Sequence, residues 1–364
     1  MATIDGTCDE RFGAVRDALA AGLDRGAETG ASVAVYLDGE PVVDIWGGHA
    51  DASATRPWEQ DTITNTWSTT KTMTALCALI LADQGLLDLH APVADYWPEF
   101  SAAGKERVLV RHVLGHTAGL PSWTEPISVA DLYDWETATA ALARQAPLWE
   151  PGTMSGYHGL TQGYLVGEVI RRITGRTIGT FFREEVAAPL GADFHIGLAE
   201  EHDHRVAPVI PHESHRAAGN PPLTAEASWT AEWRRAEIPA AGGHGNARSV
   251  AQVQSVLAGG GAARGVRLLS EAGCEAVFEE QFDGEDLVLG VPMRFGMGYG
   301  LPSPTVSLPN PRSCFWGGWG GSVVVVDLDV RLTVAYVMNR MAQGTLGDER
   351  GVGIVMAAYA ALGG

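Results

Sequence analysis

The sequence predicts a mixed α/β (α+β) fold in which both chain ends build one antiparallel sheet flanked by helices, with an all-helical lobe inserted between them. Three observations point there. The front carries two β-rich runs, 32–37 and 42–46, joined by Asp38-Gly39, a strong hairpin signal. The back returns to strand patterns at 295–301, 322–328 and 332–338. Between them the periodicity is mostly helical. The resulting domain spans 1–364, with an α/β lobe of approximately 1–65 and 240–364 and a helical lobe of approximately 66–239. Their junction is where a cleft is expected.

In chain order, 9–23 reads as a helix whose stripe is Phe12, Val15, Leu19 and Leu23, ending near Gly26. After the hairpin, a loop around Arg56-Pro57 leads to Ser68 and a helix running to Gly85. Leu76, Leu79, Ile80 and Leu81 make that helix apolar almost all round, as a buried central helix must be. The clearest later helices are 131–144 and 160–173. The stretch 195–228 is polar and reads as a long surface loop. Ser249 reads as the N-cap of a helix over 250–257, stopped by Gly259-Gly260-Gly261. A helix over 351–362 closes the chain.

Composition removes several function classes. The net charge of −19 disfavours nucleic acid and anionic membrane surfaces as partners. No apolar run reaches the roughly 18 residues of a membrane span, and residues 1–22 lack the apolar core of a signal peptide. A cytoplasmic protein is expected. Cys8, Cys77, Cys274 and Cys314 are widely spaced and read as reduced structural thiols. His202-Asp203-His204, with His212 and His215, come without an H-E-x-x-H pattern and read as a solvated loop. Neither a metal nor a cofactor is expected. A G-x-S-x-G elbow, a Walker loop and a dinucleotide fingerprint are all missing.

What remains is Ser68-Thr69-Thr70-Lys71. Two residues three apart share one helical face, and a helix N-terminus favours developing negative charge. A serine hydroxyl needs a base, and a desolvated lysine can be one because burial lowers its pKa. A serine N-cap beside a surface lysine is the ordinary alternative. Lysine usage sharpens the chemical reading. The chain has 25 basic residues, and only Lys71 and Lys105 among them are lysine. Arginine cannot shed its charge and so cannot serve as that base. Tyr157, just before a helix and beside a lysine ammonium, is expected to lose its proton more readily than a free phenol, and so to act as base and then acid. The run Trp316-Gly317-Gly318-Trp319 leads into a Val-rich strand, and an edge strand there can supply a second oxyanion N–H beside that of Ser68.

These motifs, in this order, resemble the serine β-lactamase and penicillin-binding-protein-like hydrolases, most closely the family VIII carboxylesterases related to class C β-lactamases. Ser68 and Lys71 match S-x-x-K, Tyr157 matches the tyrosine of Y-x-N, and Trp316-Gly317-Gly318 stands where lactamases carry K-T-G. The runs 114–120 and 242–246, which hold His116 and His244, also look familial, with both histidines read as structural. The resemblance implies acylation of Ser68, base work shared by Lys71 and Tyr157, and an oxyanion hole from the Ser68 and Trp319 amides. It makes Trp316, Gly317, Gly318 and His158 the substrate-binding candidates. Gly159 replaces the asparagine of Y-x-N, and Trp316 replaces a lysine that offers a cation to carboxylate substrates. A small neutral ester is therefore the expected substrate, with weak β-lactam turnover. Transfer of the acyl group to an alcohol or amine, and a non-turning-over acyl-binding sensor, are the alternatives, and the oligomeric state, homo-oligomer included, stays open.

Overall fold

A computed structural model describes residues 2–215 and 218–363 of the chain. Its centre is a six-stranded antiparallel sheet in the order Ile4–Cys8, Glu40–Gly48, Gly30–Leu37, Leu332–Met338, Val323–Asp327, Ser313–Gly317. Both chain ends therefore build one sheet. Asp38 and Gly39 take φ of 52° and 82°, which lets a two-residue loop match the twist of its strands. Every residue of Val323–Asp327 and Leu332–Met338 is buried, so both faces are covered. The terminal helices Gly13–Asp24 and Glu349–Ala360 pack together, while Ala247–Ala258 lies on the central strands.

The helix Thr70–Asp83 is buried from Thr70 to Leu81. Gly85, at φ 71°, ends it in a Schellman turn: its N–H donates to Ala82 O, and Leu86 N–H to Leu81 O. The helix Thr161–Thr174 packs beside it, with Trp135–Arg144 behind. Among the described residues no helix is long and apolar enough to cross a membrane. All four cysteines are free thiols.

Several boundaries differ from the sequence reading, each for a local reason. The expected helix over 131–144 is interrupted at Asp134, whose carboxylate accepts from the Glu136 and Thr137 N–H groups and starts a new helix. Asn246, not Ser249, caps the helix Ala247–Ala258; Ser249 sits one turn in and closes a reciprocal capping box. The expected strand over 295–301 stops at Phe295, because Gly298, at φ 84°, turns the chain against Ala75. The stretch 195–228 is no open loop. His195–Ile196 pairs with Gly243–Gly245, and Ala207 and Val209 are buried. Arg216 and Ala217 of that stretch lie outside the described residues.

The two lysines have similar surroundings. Lys105 is buried, and its ammonium donates to Ala102 O at 2.7 Å, Ala143 O at 2.9 Å and also to Gln145 O. Burial pushes its pKa down to about 8. With all of its hydrogen bonds spent on backbone carbonyls, Lys105 is a structural strut. Lys105→Met keeps the volume but strands those acceptors, so urea unfolding is expected to show a loss of about 2–4 kcal/mol. A change below about 0.5 kcal/mol would mean that the carbonyls find other donors.

Candidate active site

The site is built on a strained turn. A 3-10 turn, Trp67–Thr69, precedes the helix Thr70–Asp83, and Trp67 holds φ at 49°, uncommon for a bulky residue. Its surroundings hold it there. The Thr66 N–H donates to Gly243 O at 2.8 Å, and the Gly243 N–H to Thr70 Oγ1 at 2.9 Å. The Trp67 ring packs on Trp233 and edge-on to Trp319, at 5.6 and 4.9 Å between centroids. The turn presents Ser68 at the head of the helix, where the macrodipole favours developing negative charge.

Lys71 Nζ stands 3.2 Å from Ser68 Oγ, 2.6 Å from Gly159 O and 3.0 Å from Ala240 O. The Tyr157 hydroxyl donates to Ser68 Oγ at 2.6 Å. Ser68 is 8% exposed, Tyr157 5% and Lys71 0%. Burial holds the Lys71 amine well below its usual pKa, as expected for a removable charge. The expectation for Tyr157 is overturned. Burial is the largest cause and raises its pKa above that of a free phenol; the Ser68 and Trp316 side chains pull it back only in part, and the Asp286 charge adds to the rise. The same burial disfavours a positive charge on Lys71, the charge that would have to stabilise a phenolate. As an ammonium Lys71 has three N–H groups for these three oxygens; once its proton is lost, two remain for Gly159 O and Ala240 O and the lone pair is left for Ser68.

Tyr157 does not begin a helix. It lies in an irregular segment before Thr161–Thr174, held by side chains from elsewhere. Its N–H donates to Asp286 Oδ1 at 3.0 Å, and Ser155 Oγ donates to Asp286 Oδ2 at 2.7 Å. The Gly156 N–H donates to His116 O at 3.1 Å, and the His158 N–H to His116 Nδ1 at 3.1 Å. Asp286 was not singled out in the sequence, because an aspartate beside Leu287 reads as an ordinary turn residue. The carbonyls of Gly159 and Ala240 were equally invisible, since any residue type supplies one.

The run 316–319 leaves the edge strand Ser313–Gly317 and packs against the turn that carries Ser68. Gly317 and Gly318 are needed for packing. A Cβ on Gly317 would meet the Leu346 backbone at 2.1 Å; one on Gly318 would meet Ser322 Oγ at 2.2 Å and Thr66 O at 2.3 Å. Their Cα faces thus abut the protein itself. The neighbouring amides of Gly318, Gly320 and Gly321 are spent on the carbonyls of Ser322, Gly344 and Gly318, which brackets the Trp319 N–H. Ser322 Oγ donates to Thr66 O at 2.9 Å and so ties this turn to the Ser68 turn; Arg350 Nη2 donates to Gly320 O at 2.9 Å from the other side.

Trp316 is buried and stacks on His116 at 5.3 Å between centroids. His158 corrects the sequence reading. Its ring is fully buried, with Nε2 accepting from the Leu120 N–H at 3.1 Å and Nδ1 2.6 Å from Gly156 O. Both nitrogens are spent on backbone, and burial pushes its pKa down to about 4. It fixes the loop instead of facing a substrate. His116 and His244 are buried and held neutral by desolvation, in keeping with structural roles. Among the described residues no group of three or more His, Cys, Asp or Glu could hold a metal.

Comparison with known proteins adds family context. A family model described as Beta-lactamase matches residues 15–357. The chain is 36% identical over 361 residues to the Esterase/beta-lactamase LipL of Mycobacterium tuberculosis (strain ATCC 25618 / H37Rv), covering 92% of this chain and 83% of that protein. A crystal structure of a family VIII carboxylesterase superposes with a TM-score of 0.94 at 45% identity, covering 99% of this chain and 100% of the other. A penicillin-binding protein homolog from Caulobacter crescentus gives a TM-score of 0.92 at 39% identity, covering 99% and 100%.

The protonation state of Lys71 can be read directly. With two lysines in the chain, selective 13C labelling of lysine gives a two-signal spectrum that titrates cleanly. One signal is expected to follow Lys105 near pH 8, and the other to stay neutral down to pH values well below the ordinary lysine range. Loss of the second signal's shift on Lys71→Arg assigns it. Two signals titrating at the usual lysine value would contradict the burial argument.

Proposed function

The chain belongs to the Beta-lactamase family, and on that premise we propose that it is a serine hydrolase cleaving carboxylic esters through an acyl-enzyme on Ser68. One observation carries the reading: a hydroxyl and an amine from one helical turn and a phenol from a distant stretch meet, with Ser68 Oγ 3.2 Å from Lys71 Nζ and 2.6 Å from the Tyr157 hydroxyl. Lys71, held neutral, takes the Ser68 proton as Oγ attacks the ester carbonyl. The carbonyl oxygen becomes negative and is received by the N–H groups of Ser68 and Trp319. Tyr157 gives its proton to the departing alkoxide and regains one from the Lys71 ammonium. A phenol held above its usual pKa is well matched to an alkoxide, which is a strong base. Water then attacks the acyl-enzyme with the same pair as base, releasing the acid and restoring Ser68. The two groups titrate as a coupled pair.

Neutral esters are favoured over β-lactams because the position that would offer a cation is Trp316, whose indole has one neutral donor. The other lysine, Lys105, is committed to backbone carbonyls. The relatives named above are described as esterase/beta-lactamase and carboxylesterase, which agrees with this choice. Transfer of the acyl group to an alcohol is the second outcome open to the same acyl-enzyme, and competition between water and an added alcohol separates the two.

Turnover of a short-chain p-nitrophenyl ester is expected to vanish in Ser68→Ala. In Tyr157→Phe and Lys71→Ala, kcat is expected to fall by about 10²–10⁴-fold. Nitrocefin should be cleaved slowly or not at all. Intact-mass analysis during turnover should find a transient acyl adduct; a permanent adduct without product would favour a sensor. Undiminished ester turnover in Ser68→Ala would remove the assignment.

A further inference from the structure

The position of the Tyr157 hydroxyl depends on a segment with no secondary structure of its own. Residues 155–159 lie in neither helix nor strand, and glycines stand at 156 and 159, so no ladder of backbone bonds fixes them. His116 holds the Gly156 and His158 N–H groups on either side of Tyr157, and the anchor of Ser155 and of Tyr157 itself is Asp286. Its buried carboxylate collects four hydrogen bonds: from Ser155 Oγ at 2.7 Å, and from the N–H groups of Tyr157, Val288 and Leu289 at 3.0, 2.9 and 2.8 Å. All four donors are neutral. The Leu287 N–H adds a bond to Ser155 O at 2.9 Å, so one turn grips the segment twice. That turn is itself rigid. It closes the hairpin of Phe282–Glu285 and Pro292–Phe295, and the Asp286 N–H donates to Val291 O at 3.0 Å.

We propose that Asp286 is a positioning residue for the reaction, its carboxylate strapping the 155–157 segment to the 282–295 hairpin so that the Tyr157 hydroxyl stays on Ser68 Oγ. The proposal rests on the esterase reading above. Asp286 does not touch the reacting atoms and acts through Tyr157. Carboxylate acceptors of backbone N–H groups make strong, directional bonds, which suits a group that must fix a neighbour to a fraction of an ångström.

The test is a double-mutant cycle read as kcat and KM on a p-nitrophenyl ester. Asp286→Ala is expected to lower kcat by about 10²-fold, the cost of a misplaced catalytic group, with KM changed by less than about threefold. Asp286→Asn keeps an acceptor oxygen toward the three N–H groups and is expected to retain kcat within about tenfold. In the Tyr157→Phe background the same Asp286→Ala change should add less than about threefold, because the hydroxyl it positions is already gone. Wild-type kcat in Asp286→Ala, or an undiminished loss in the Tyr157→Phe background, would overturn the proposal. If Asp286→Ala is unfolded by circular dichroism, Ser155→Ala, which removes one of the four donors, enters the same cycle. A loss confined to the background with Tyr157 supports the strap, and an equal loss in both backgrounds rejects it. Wild-type protein lacking Ser68-dependent turnover would bring down the esterase reading and this inference together. Normal Ser68-dependent turnover with silent Asp286 variants would bring down the inference alone.

Discussion

A lysine amine sealed away from water, three residues along a helix from a serine, is the constraint on which the site depends. Lys71 Nζ has three oxygen neighbours, the carbonyls of Gly159 and Ala240 and the hydroxyl of Ser68. As an ammonium it donates to all three. As a neutral amine it donates to the two carbonyls and accepts from the serine. Moving the proton therefore reverses one hydrogen bond and displaces no heavy atom. Catalytic groups that need no rearrangement at the moment of reaction are the most effective, and a site without bulk water keeps their interactions strong. The carbonyls do more than fill space: they fix which direction the lone pair faces.

Holding that arrangement costs backbone strain, met by packing from three parts of the chain. Trp67 is kept at positive φ by its ring contacts with Trp233 and Trp319 and by the bonds between Thr66, Thr70 and Gly243. Ser322 joins the turn carrying Trp319 to the Thr66 carbonyl. Arg350, itself paired with Glu28 and Asp348, fixes the far side of the same turn through Gly320. Apart from the Arg350–Asp348 pair, these contacts join residues distant in sequence, so the geometry of the nucleophile is a property of the assembled sheet and not of its own motif.

Much of this was legible in the residues. Asp38-Gly39 announced the hairpin, Gly85 the end of the buried helix, and the scarcity of lysine pointed to Lys71. Side-chain chemistry at fixed spacing survives in a linear sequence. What did not survive was everything set by tertiary neighbours. Asp286 looks like a turn residue until its partners at 155 and 157 are in place. His158, next to the tyrosine, suggested a role in the cleft, but its ring turns inward to Leu120 and Gly156. The tyrosine's proton affinity was misjudged for a related reason. Burial works against the charge on the neighbouring lysine as well as against a phenolate, and desolvation of the phenol decides the sign. Gly317 and Gly318 suggested room for a ligand, whereas the room is taken by Leu346, Ser322 and Thr66.

The sheet's strand order also bears on how the molecule is made. Leu332–Met338 is inserted beside Gly30–Leu37, yet nearly the whole chain separates them. At about 5–20 residues per second, a ribosome would need on the order of 15–60 s to travel from one to the other. For that interval Val33, Ala34, Val35 and Tyr36 present an open, apolar strand edge to the surrounding solution, the kind of surface that recruits nascent-chain chaperones or seeds association. Completion of the sheet, and with it the Trp319 turn that packs on Trp67, waits for the last strands to emerge.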